Sequence, residues 1–111
     1  ALANVDCMVG NSSSGIIEAA SFKLPVVNIG QRQLGRSSGR NVIHCTNSEN
    51  DIRTAWQRAL DSAFRDTLAD LVNEYGDGHA VPRIINTLKS VALDGRLLQK
   101  HFVDWPEPQS A

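Results

Sequence analysis

Apolar and polar positions fall along this chain in blocks, and the blocks set its elements. Val5–Gly10 is a short, apolar, β-prone run that reads as a buried strand. Asn11–Ser14 is turn chemistry. Gly15–Phe22 then carries Ile16, Ile17, Ala19, Ala20 and Phe22, which predicts a short helix capped by any one of Ser12, Ser13 or Ser14. Pro25 closes the link to a second strand of Val26, Val27 and Ile29, ended by Gly30. Gln31–Arg40 is polar, with two glycines and three arginines, and reads as an exposed loop. Asn41–Cys45 is a third short strand.

The second half of the chain changes period. Asn47 or Ser48 caps a helix whose stripe is Ile52, Ala55, Trp56, Ala59, Leu60 and Ala63, at 3.6-residue spacing, which places Trp56 in the core. Leu68, Leu71 and Val72 extend a helical pattern to Tyr75. Gly76-Asp77-Gly78 is a turn. A further helix has Val81, Ile84, Ile85, Leu88 and Val91 on one face, and Leu93–Phe102 predicts a last short one. The Pro-rich residues 104–111 read as a flexible tail. The order is β-α-β-β-α-α-α. Strands that are continuously apolar, rather than alternating, imply a parallel sheet covered on both faces, so the fold class is α/β.

Composition narrows the partners. The 111 residues carry 11 Lys+Arg against 12 Asp+Glu, with no basic run, which argues against nucleic acid. No apolar run approaches the roughly 18 residues of a membrane span, and no signal peptide is expected, so the expected setting is cytoplasmic. The two cysteines, Cys7 and Cys45, lack metal-site spacing and read as reduced, buried thiols. No metal and no cofactor is expected.

The candidate chemistry sits in Asn11-Ser12-Ser13-Ser14-Gly15. Ligands of open parallel sheets bind beyond the carboxyl ends of the strands, where this turn lies. It also opens a helix, whose free N–H groups and dipole favour an anion. Three hydroxyls and a glycine let a phosphate approach the backbone, although one serine suffices as a cap. Glu18, on the first turn of that helix, has two readings: it complements the dipole, or it accepts hydrogen bonds from sugar hydroxyls. Arg32, Arg36 and Arg40 follow the second strand at the same sheet edge. Each reads singly as a solvated arginine, and Arg32, two residues past Gly30, is best placed to reach a phosphate. Rival motifs fail on detail. No Gly-Lys-Ser/Thr is present, and Gly15 stands one place too late for a nucleophile elbow.

Taken together, VGNSSSGIIEAASFKLPVVNIGQRQLGR, GRNVIHC and YGDGHAVPRIINTLKS resemble the UDP-N-acetylglucosamine 2-epimerase family, from Val5 to about Phe102. The resemblance is nearest to the hydrolysing branch, which makes N-acetylmannosamine and UDP for sialic-acid synthesis, and the non-hydrolysing branch, which returns UDP-N-acetylmannosamine, is the alternative within the family. It implies a GT-B architecture of two Rossmann-like domains. Residues 1–103 would be part of the C-terminal, UDP-binding domain, about three short parallel strands flanked by helices. Ser12 and Ser13 would bind the diphosphate with Ser14 and Gly15 beside them, Glu18 would hold ribose hydroxyls, and Arg32 would contact the phosphates. The family's acid and base groups belong to the other domain, so no catalytic residue is expected here and the chain alone is expected to be inactive. Family members are several times longer, and this chain begins at what resembles the fourth strand of the domain. That leaves Val5–Gly10 as an exposed apolar edge, from which self-association into a homo-oligomer is expected. A non-catalytic interaction module and the nucleotide-binding half of a GT-B glycosyltransferase are the competing readings.

Overall fold

The computed structural model describes residues 1–99, 101 and 102. Three short strands carry the first of two compact units, Ala1–His79. They are β1 (Met8–Gly10), β2 (Val26–Ile29) and β3 (Val42–Cys45), all parallel, in the spatial order β1-β2-β3. The register aligns Met8, Val26 and Val42 across the sheet, then Val9, Val27 and Ile43, then Gly10, Asn28 and His44. The fold is α/β, with three parallel strands flanked by helices. The first strand is shorter than the run expected from Val5. Val5 and Val9 are 47% and 46% exposed, and among the described residues β1 pairs only with β2.

Alternation along the strands supplies both faces of the sheet. One face sets Val27 and Ile43 against Ala55 and Ala59 of α2 (Glu49–Leu60), with Phe64 at the margin. Ser48 is the cap of α2, its hydroxyl accepting from Asp51 N at 3.2 Å. Two alanines one turn apart let the helix lie close to a narrow sheet. Trp56 and Leu60 each stand one residue, about 100° around the helix, past those alanines. Trp56 is accordingly half exposed rather than in the core. The helical pattern also does not run on to Tyr75. Asp61 takes an extended backbone and caps a separate α3 (Ser62–Asp66), accepting from Ala63 N at 2.7 Å. Turns follow, and they bury Leu68 while leaving Val72 in solvent.

The other face sets Val26 against Ala19 and Leu24, with Met8, Leu2 and Val42 beside them. Here the helix expected over Gly15–Phe22 divides. α1 is Ser13–Ile17, and a separate 3-10 turn spans Ala19–Phe22. Lys23, at φ 53, ends it in the left-handed region, where its N–H and that of Leu24 return to the Ala20 and Ala19 carbonyls.

The second unit begins at Ala80. It contains α4 (Ala80–Ser90), with Pro82 in its first turn, and α5 (Gly95–Leu98), shorter than the expected 93–102. Asp94 caps α5, and the guanidinium of Arg96 holds its carboxyl below the usual carboxylate range. The tail expected at 104–111 lies outside the described residues.

Gly15 is where the α1 face is tightest. A Cβ built there would lie 2.9 Å from Val26 Cγ1, and Val26 is a stiff, β-branched residue in a buried strand. Gly15→Ala should therefore destabilise the chain by about 1–3 kcal/mol in urea unfolding, despite alanine's advantage of about 1 kcal/mol in helix propensity. The penalty should shrink in a Val26→Ala background. A neutral or stabilising Gly15→Ala would contradict this close approach.

Candidate functional site

The serine turn stands at the carboxyl end of β1, the edge of the sheet where the register row Gly10, Asn28 and His44 ends the α1 face. Gly10, at φ 151, turns the chain out of the strand, a conformation other residues rarely adopt. Ser12 is the cap of α1. Its backbone is extended, and its Oγ accepts from Ser14 N at 3.3 Å. Gly15 N donates to the Ser12 carbonyl at 3.2 Å and closes the first turn. The side of Gly15 on which a Cβ would stand is filled by Val26 and Met8, so its small size seats α1 on the sheet. The hydroxyls of Ser13 and Ser14 are half-buried and have no partner among the described residues.

Division of the helix changes the electrostatics expected of this turn. Five residues carry only part of a helix dipole, so hydroxyls and a cation must supply much of any attraction for an anion. Glu18 moves from the expected first turn to the junction at the C-terminal end of α1, where the dipole of α1 itself does not favour a negative charge. Glu18 is at the same time the residue that precedes the 3-10 turn Ala19–Phe22, where its charge is favourable although its side chain makes no capping hydrogen bond, so the dipole reading stands beside the sugar-hydroxyl one. Its exposed carboxylate forms no ion pair among the described residues. With Ser14 it lines a groove of ≈ 500 Å³ floored by Ala1, Leu2, Ala3 and Phe22. A second cleft, of ≈ 530 Å³, opens at the ends of β2 and β3 between Gly30, Gln31, Cys45, Thr46 and Asn47.

The arginine loop is brought to the turn by the two residues after Gln31. Arg32 Nη1 donates to Asn11 Oδ1 at 3.4 Å, and Gln33 Nε2 donates to the Asn11 carbonyl at 2.8 Å. Arg32 thus reaches the segment that begins the serine turn. Arg40 is committed elsewhere, to the Thr67 carbonyl and the Asp70 carboxylate. Arg36 is exposed, with no partner among the described residues.

Three residues of this arrangement were not singled out from the sequence, and two of them, Gln33 and His44, carry no signal in the local pattern. Gln33 is only 3% exposed although it lies in a polar loop, and its Oε1 has no partner among the described residues. Asn28, the one polar position of β2, is buried and donates to His44 Nδ1 at 3.1 Å. Because that amide nitrogen only donates, Nδ1 accepts, and Nε2 is left to face Ser38 Oγ at 3.2 Å. His44 is thereby a tie between strand and loop. Asn28 alone was findable in advance, as an amide interrupting an apolar strand.

The thiols do not suit nucleophilic chemistry. Burial pushes both Cys7 and Cys45 up from the ordinary thiol value, and the Asp51 carboxylate raises Cys45 further. Among the described residues, no group of three His, Cys, Asp or Glu side chains is placed to hold a metal, and no helix is long and apolar enough to cross a membrane.

Residues 1–89 match the family described as UDP-N-acetylglucosamine 2-epimerase. The chain is 44% identical, over 89% of its length, to a hydrolysing UDP-N,N'-diacetylbacillosamine 2-epimerase of Legionella pneumophila. It is 43% identical, over 87%, to a hydrolysing GDP/UDP-N,N'-diacetylbacillosamine 2-epimerase of Campylobacter jejuni, and 40% identical, over 87%, to a UDP-N-acetylglucosamine 2-epimerase of Neisseria meningitidis serogroup B. The chain covers 25%, 25% and 26% of those proteins, so it spans about a quarter of the relatives it matches.

Proposed function

Because the chain belongs to the UDP-N-acetylglucosamine 2-epimerase family, we propose that its serine turn holds the UDP part of a nucleotide sugar. The observation that carries this reading is the meeting of Arg32 with Asn11, 3.4 Å apart, at the head of a turn with two unpartnered hydroxyls. In this reading Ser12 and Ser13 donate to the diphosphate with Ser14 beside them, and Arg32 supplies the positive charge. Gly15 keeps the turn seated on the sheet, and Glu18 accepts from the ribose hydroxyls. Residues 1–103 are then part of a UDP-binding, Rossmann-like domain of a GT-B epimerase in the cytoplasm.

The reaction proposed for the whole protein is a hydrolysing 2-epimerisation. A base removes the proton at sugar C2, the C1–O bond to UDP breaks, and a C1=C2 double bond forms. Water then adds across it, giving the 2-epimer of the free sugar and UDP. Donors at the serine turn stabilise charge on the departing diphosphate. No residue here is assigned as acid or base, and the chain alone is proposed to turn over nothing. UDP-N-acetylglucosamine, giving N-acetylmannosamine for sialic-acid synthesis, is the first substrate. UDP-N,N'-diacetylbacillosamine is the second, favoured by the names of the Legionella and Campylobacter relatives. The nucleotide site described here serves either.

Calorimetric titration of the chain with UDP checks the nucleotide reading. Weak binding is expected, reduced about tenfold by Arg32→Ala and about three- to tenfold by Ser13→Ala. Equal heats for all three proteins would contradict it. The proposed protein partner is a second copy, paired along the exposed edge of β1, which carries Val9 and follows the exposed Val5. Light scattering after size exclusion should give at least a dimer mass at micromolar concentration, and a monomer mass would contradict the pairing.

A further inference from the structure

We propose that Gln33 is a positioning residue that holds Arg32 against the serine turn, acting through the hydrogen bond from its side-chain amide to the Asn11 carbonyl. The inference rests on the reading of Arg32 as a phosphate contact, and it assigns a task to the neighbour that is buried while Arg32 is not.

The geometry separates the two residues. Arg32 is exposed, and its contact with Asn11 Oδ1, at 3.4 Å, is at the long end for a hydrogen bond, too weak to fix a long, flexible side chain by itself. The Gln33 amide is buried, and its bond to the Asn11 carbonyl is short, 2.8 Å. A carbonyl accepts only, so the amide nitrogen must face it, and the side chain has one orientation. Both contacts end on the same residue, Asn11, so Gln33 ties the backbone of the turn to the backbone that bears Arg32.

The remaining ties of the loop lie at its start and from Ser37 onward. Gly30 N donates to the Cys45 carbonyl where the loop begins. From Ser37 onward the loop is held repeatedly. The Tyr75 hydroxyl donates to the Ser37 carbonyl at 2.7 Å, Ser38 meets His44, and Arg40 meets Thr67 and Asp70. Between those anchors, Gln31–Arg36 folds on itself through Leu34 N to the Gln31 carbonyl and Arg36 N to the Gln33 carbonyl. Leu34 points into solvent and contributes no packing. Among the described residues, Gln33 is therefore the buried tie of this stretch to the turn. Loss of the amide frees the stretch that carries the guanidinium, and a phosphate then meets a cation that must first be ordered.

A double-mutant cycle on the full chain tests this, with UDP as the probe. Wild type, Arg32→Ala, Gln33→Met and the double variant are titrated, and each is melted to confirm folding. Methionine keeps length and apolar volume while removing the donor. Gln33→Met should weaken UDP about fivefold, and on the Arg32→Ala background it should have no further effect. A merely structural role for Gln33 would persist in that background, so the full effect on both backgrounds overturns the proposal, as does wild-type affinity in Gln33→Met. If Gln33→Met fails to fold, Gln33→Asn, one methylene too short to reach Asn11, takes its place with the same expectations. An unchanged affinity in Arg32→Ala itself marks failure of the nucleotide reading and of this inference with it. Weakening by Arg32→Ala with none by Gln33→Met marks failure of the inference alone.

Discussion

The close approach of α1 to β2 is the contact from which the site follows. A methyl group on Gly15 would stand 2.9 Å from Val26 Cγ1, and Val26 is packed in the buried cluster with Ala19 and Leu24. That contact fixes where α1 starts relative to the sheet. The start of α1 in turn fixes the serine turn at the carboxyl end of the parallel strands, where a doubly wound sheet presents its ligand site. Gly10 provides the exit from the strand, and Ser12 closes the first turn by accepting from Ser14.

Charge is arranged around that turn by long-range contacts. Glu18 ends the five-residue α1 and precedes the 3-10 turn Ala19–Phe22, with its carboxylate in solvent. Of the loop cations, Arg40 is held by Asp70 and the Thr67 carbonyl, while Arg32 is turned back to Asn11. Arg32 lies at the start of the serine turn, whereas Glu18 lies past the far end of α1, on the groove lined by Ala1, Leu2, Ala3 and Phe22. The Asn28–His44–Ser38 tie holds the far part of the arginine loop to the strands, and the Gln33 tie holds the near part to the turn. The site is thus assembled from two loops that are each fastened to the same three strands.

The second and third strands and the turns were readable in advance because they depend on local residue types, whereas the first strand is shorter and more exposed than its apolar run suggests. Val26–Ile29 has the extent its apolar run suggests, Gly30 ends it, and Ser48 is one of the two caps considered for α2. The three-stranded parallel sheet followed from continuous apolar strands. Errors arose where a helical period outlasted the helix. Asp61 interrupts the pattern by capping a new helix, and the Glu18 junction divides α1 from a 3-10 turn, which moves a carboxylate from one end of a helix to the other. Trp56 sits on the apolar stripe, yet a sheet of three strands is too narrow to cover it beside two alanines. Gln33 and His44 were out of reach because their partners lie 22 and 16 residues away, a distance at which spacing carries no information.

The central claim, that the serine turn and Arg32 form one anion site, is tested most directly by following backbone amide resonances during a UDP titration. The account predicts that the largest shifts fall on Asn11–Gly15, Glu18 and Arg32, in a single saturable process. Shifts confined to the cleft at Gly30 and Thr46 or to α4, or no shifts at saturating UDP, would contradict it.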